Sequence, residues 1–130
     1  MTRICKILVV EDNDGIRDFL RALFDEEGYE IGVVGGGAEM RAALARERFD
    51  VALIDVTLPG ADDGFCLAEL AKSAGCGVIL VTGDSRHFET IKVSGHRHLL
   101  KPFRIEELLR LVNELVEQAN CAIGPRQATQ

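Results

Sequence analysis

The chain has 130 residues and a mass of 14.2 kDa, and 47% of its residues are hydrophobic, enough for one domain with a real core and too little for two. A formal net charge of -6 and a pI near 5.0 exclude the basic footprint that DNA or an anionic membrane surface requires, so proteins are the expected partners. The first apolar run, Ile7 to Val10, is too short for a secretory h-region or a membrane span, and the expected location is the cytoplasm.

Short runs rich in Val, Ile and Leu mark five strands, at 4–10, 30–34, 50–54, 77–81 and 97–100. Helical periods fall between them. Ile16, Leu20, Leu23 and Phe24 make the first apolar stripe, Met40, Ala43 and Leu44 a shorter second, and Leu67, Leu70, Ala71 and Ala74 a third. The fourth segment, Ser85 to Ser94, is weak, because Phe88 and Ile91 supply barely one turn of apolar face. The fifth is the clearest, with Ile105, Leu108, Leu109, Val112 and Val116 on one side. Gly28, Gly75 and Gly95 stand where helices should stop in left-handed caps. Residues 121–130 read as a frayed tail after a domain covering 1–120. Cys5, Cys66, Cys76 and Cys121 lack metal-ligand spacing, so packing is their expected role and a disulfide or metal site the lesser alternative.

Five alternations of strand and helix predict a single three-layer α/β domain whose right-handed crossovers put helices on both faces of a parallel sheet. In such sheets ligands bind at the carboxyl ends of the strands. Four strand ends here carry reactive groups: Glu11 and Asp12, Asp55, Thr82, and Lys101 before Pro102. Carboxylates forced within a few ångströms repel by about 4 kcal/mol per pair at an effective dielectric near 20, so such a cluster survives only if it helps to hold a cation. Mg2+ suits the site, since it takes one or two carboxylates and fills its shell with waters and phosphate oxygens. Asp55 then reads as a nucleophile that forms an aspartyl phosphate, with Lys101 neutralising charge and Thr82 donating to the new phosphoryl group. Each residue alone is ordinary at a strand end, and Asp12 or Asn13 is a candidate helix cap.

The motifs ILVVEDN, IDVTLPG, VTGD and LLKPF, spread from Ile4 to Gln118, resemble as a set those of the receiver domain of two-component response regulators. The resemblance implies a flavodoxin-like (βα)5 sheet of order 2-1-3-4-5, with Asp55 phosphorylated by a sensor histidine kinase or a histidine phosphotransfer protein. It also implies that Asp12 and Asp55 ligate magnesium, that Glu11 acts through water, that the Thr57 carbonyl completes the protein ligands, and that the Lys101-Pro102 bond is cis. In such domains the hydroxyl, here Thr82, moves toward the phosphoryl group while an aromatic on the fifth strand turns in behind it. His98 occupies that aromatic position, either as a switch able to sense pH or as a half-exposed side chain without a signalling part. His87 and His96 are expected to face solvent.

The chain departs from the family pattern elsewhere as well. LPGADDG carries a residue more than the usual loop and brings Asp62 and Asp63 near the site, while the stretch from Thr82 to Lys101 is short and predicts a reduced fourth helix. Gly83 leaves access to Asp55 open, and Asp84 is expected to cap the next helix rather than act on water. The rival is a haloacid-dehalogenase-type phosphatase with Asp12 as nucleophile and Asp14 as acid, which leaves the segment from Asp55 to Gly60 without a purpose. A flavodoxin proper is disfavoured because Glu11, Asp12 and Asp14 repel a flavin phosphate. The sequence leaves open whether the chain acts alone or belongs to a larger regulator.

Overall fold

The structure is a computed structural model that describes residues 3–56, 64–119 and 121–124. The expectations placed on Thr57, Asp62, Asp63 and residues 125–130 lie outside these. Strands β1 (Lys6–Val10), β2 (Glu30–Val34), β3 (Val51–Asp55), β4 (Gly77–Thr82) and β5 (Arg97–Leu100) form one parallel sheet of order 2-1-3-4-5, as expected. Helices α1 (Asp14–Glu26), α2 (Gly37–Arg46), α3 (Gly64–Ser73), α4 (Phe88–Ser94) and α5 (Ile105–Gln118) connect and follow the strands.

Strand periodicity splits the core in two. Ile7, Val9, Leu53, Ile79 and Val81 point to one face and pack on Leu20 and Phe24 of α1 and on Leu108, Val112 and Leu115 of α5. Their neighbours Leu8, Val10, Ile54, Val78 and Leu80 point to the other face, against Met40 of α2, Leu67 and Ala71 of α3 and Ile91 of α4. Burial on both faces is why the strands are continuously apolar, and each fully buried Leu or Ile contributes about 1.5–3 kcal/mol relative to exposure.

Helix ends follow local chemistry. Asn13 caps α1, its side chain accepting from the Ile16 amide at 2.9 Å. Gly28, Gly75 and Gly95 have φ of 92°, 93° and 76°, the left-handed conformation expected of them. The fourth helix has seven residues and follows a 3-10 turn over Ser85–His87, where Asp84 caps the turn by accepting from Arg86 N. The Lys101-Pro102 bond is cis.

Several expectations are corrected. On α5 the buried stripe includes Leu111 and Leu115, whereas Ile105, the first residue of the helix, is 40% exposed; Gly77 in β4 makes room for Leu115, since a Cβ there would lie 2.7 Å from its methyl carbon. On α3, Gly64 and Ala68 are buried, the helix approaching Val56 so closely that only a glycine fits at its start, whereas Ala74 falls just past the helix end and is exposed. Cys5 and Cys121 are joined in a disulfide with Cα atoms 5.1 Å apart. Residues 121–124 are pinned rather than frayed: Ala122 pairs with Ile4, and Gly124 N donates to Gly28 O at 2.7 Å. Cys66 is exposed and Cys76 buried, with burial pushing the Cys76 thiol up to about 11.

Candidate phosphoacceptor site at the carboxyl edge of the sheet

Register builds the site. Val10 pairs with Ile54 and Asp55 with Val81, so Glu11, Asp55 and Thr82 leave the sheet side by side. Thr82 pairs with Leu100, and Lys101 N donates to Thr82 O at 2.8 Å, which sets the lysine at the same edge. Asp55 is 4% exposed and Glu11 5%. Lys101 Nζ donates to Asp55 Oδ2 at 2.9 Å and to Glu11 Oε2 at 3.2 Å. Asn13 N donates to Glu11 Oε1 at 3.2 Å, and Arg17 binds the Glu11 carbonyl from α1 while pairing with Asp14.

The electrostatics are strained. Burial pushes the Glu11 carboxyl up, against the pull of the Asn13 amide; the Asp55 charge adds to the rise and Lys101 opposes it. Burial alone would lower the Lys101 ammonium, but its bonds to Asp55 and Glu11 prevail and raise it. Asp12, exposed at the rim, completes a set of three carboxylates, one oxygen of each lying within 4.8 Å of the others. This donor set fits magnesium: hard, anionic oxygens, one of them open to water, clustered at a spacing near that of an octahedral shell of 2.0–2.1 Å bonds, roughly 4 Å across.

The other sequence candidates fall unevenly. Thr82 is 1% exposed and its Oγ1 accepts from Asp84 N at 3.0 Å. His98 on β5 is half-buried, its ring edge-on to Phe88 with centroids 5.5 Å apart. His87 is half-buried, its ring turned onto the site instead of wholly out to solvent. Its Nδ1 lies 3.2 Å from Thr82 Oγ1, and its ring meets Phe65 edge-on at 6.3 Å. The His96 side chain is only 10% exposed and bonds Glu69 at 3.0 Å. Sequence reasoning missed His87, Arg17 and the Asn13 amide; the five-residue spacing from Thr82 to His87 becomes a contact only once the 3-10 turn folds back.

A flavodoxin-like sheet with three acids and a lysine at its carboxyl edge is the arrangement that the receiver-domain resemblance implies. The comparisons with known proteins agree. The profile of the response regulator receiver domain matches residues 7–113, and the chain belongs to that family. It is 30% identical to the transcriptional regulatory protein AruR of Pseudomonas aeruginosa, over 98% of this chain and 57% of that protein. To TorR of Escherichia coli it is 28% identical over 95% of this chain and 55% of that one, so it spans about half the length of these relatives. Among solved structures, the TorR receiver domain superposes with a TM-score of 0.77 at 30% identity, covering 88% of this chain and 98% of the other. Response regulator TrrA of Thermotoga maritima, in complex with Mg2+ and BeF, gives 0.76 at 28%, covering 86% and 99%. The chain is therefore a response regulator receiver domain of two-component signalling, and the phosphatase alternative gains no support from these relatives. Among the described residues no helix is long and apolar enough to cross a membrane.

Proposed function

We propose that Asp55 is the phosphoacceptor of a phosphorylation-driven switch, charged by a sensor histidine kinase or a histidine phosphotransfer protein in the cytoplasm. The observation that carries this is the Lys101 ammonium 2.9 Å from a buried Asp55 carboxylate within a three-carboxylate cluster. An Asp55 oxygen attacks phosphorus, the phosphorus–nitrogen bond of the donor breaks, and the imidazole leaves with a proton from solvent. Water later attacks the acyl phosphate and releases the carboxylate, so the domain transforms itself and no metabolite. Glu11, Asp12 and Asp55 would hold magnesium, which when bound supplies charge neutralisation on the phosphoryl oxygens. Lys101 neutralises the remaining charge, Thr82 donates to the phosphoryl group, and His98 takes the aromatic place behind it. The signal then passes by protein contact; a whole protein like AruR or TorR would carry it to transcription.

Incubation with acetyl phosphate, with and without magnesium, tests the assignment. Acid-labile phosphate is expected in wild type with magnesium and absent from Asp55→Ala. Label that persists in the mutant overturns the acceptor.

A further inference from the structure

The Thr82 hydroxyl is already engaged. It has one proton to donate and lone pairs to accept with. Asp84 N fills an acceptor site at 3.0 Å, and the proton has two acceptors in reach: His87 Nδ1 at 3.2 Å and Asp84 O at 3.4 Å. The imidazole nitrogen is the nearer, and it accepts when the ring is neutral with its proton on Nε2.

The ring is held over Thr82 from several sides. Asp84 caps the 3-10 turn through Arg86 N at 2.9 Å, and its carboxylate clasps the Arg86 guanidinium, which holds that carboxyl down to about 2. His87 N donates back to Asp84 O at 3.1 Å, closing the turn. Phe65, near the start of α3, meets the imidazole edge-on with planes at 78°. Four residues between Thr82 and His87 are thus folded so that one side chain lands on the other.

We propose that His87 is a positioning residue that competes with the Asp55 phosphoryl group for the Thr82 hydroxyl and so biases the switch toward its resting state. The inference rests on the phosphoacceptor reading above. A hydroxyl bonded to His87 cannot donate to the phosphoryl group, so each phosphorylation must break this bond, and its loss shifts the population toward the phosphoryl-bound arrangement. One neutral hydrogen bond sets the scale of the shift at about fivefold.

Beryllofluoride with magnesium serves as the probe, read by its dissociation constant, alongside the rate of labelling by acetyl phosphate. His87→Ala is expected to bind beryllofluoride about fivefold tighter. His87→Asn, whose amide oxygen keeps an acceptor near the Nδ1 position, is expected within twofold of wild type. The effect of His87→Ala should vanish in a Thr82→Ala background, which a purely structural part for the ring would not produce. For the unmutated protein, the 15N shift of His87 Nδ1 is expected to move toward that of a free imine nitrogen when beryllofluoride is added. An alanine variant that binds no tighter than wild type, an effect that survives without Thr82, or an unmoved Nδ1 shift overturns the inference alone. Wild type that takes neither label nor beryllofluoride overturns the phosphoacceptor reading, and this inference with it.

Discussion

Replacing Glu11 by Gln should raise stability without metal and lower it with metal. The ionised Glu11 carboxylate faces Asp55 across at most 4.8 Å, a repulsion of at least about 3.5 kcal/mol at an effective dielectric near 20. Lys101 at 3.2 Å returns about 5 kcal/mol on the same scale, and desolvating a carboxylate this buried costs several more. The balance is mildly unfavourable to the charge, which is why burial holds the Glu11 carboxyl above its usual range. A glutamine keeps the acceptor for Asn13 N and puts its amide NH2 where Lys101 now donates, so Lys101 gives up that bond and keeps the one to Asp55; with the net cost of the buried charge removed, in EDTA at neutral pH the variant should be about 1 kcal/mol more stable. The pH sign follows. An acid with a raised folded pKa makes wild type lose stability as pH rises from the unfolded value of 4.5 through the folded one, so the gap opens over that window and then stays level. Magnesium reverses the order: at a hundredfold excess over its dissociation constant it stabilises wild type by about 2.7 kcal/mol, and the variant, short of one carboxylate, gains less. Urea unfolding in EDTA and in magnesium, from pH 4.5 upward, measures both. Equal magnesium stabilisation of the two proteins, or a variant weaker in EDTA, would refute the account.

Two further substitutions probe the frame that holds the site. Gly64→Ala puts a Cβ 2.5 Å from Val56 Cα, next to Asp55, and should cost about 1–3 kcal/mol in urea unfolding; an unchanged midpoint would show that α3 can move aside. Reducing the disulfide, or Cys5→Ser, frees a link across a sequence separation of 116 and should lower stability by about 2–4 kcal/mol, under a chain-entropy ceiling of roughly 5. Identical unfolding curves with and without reductant would count against the link.

What the sequence determined by itself is whatever depends on short range: alternation along Ile7 to Val10, helical periods, glycine stops at 28, 75 and 95, and a cap at Asn13. Parallel order then carried Glu11, Asp55, Thr82 and Lys101 to one edge, because strand ends in such a sheet have nowhere else to go. Only the tertiary structure decided which side of each helix is covered: Ile105 and Leu115 are both apolar, yet the first is exposed at the start of α5 while the second packs into the space left by Gly77. It alone brought Cys121 to Cys5 and turned His87 onto Thr82. A pairing across a hundred residues and a side chain aimed by a distorted turn depend on distances that no local pattern encodes.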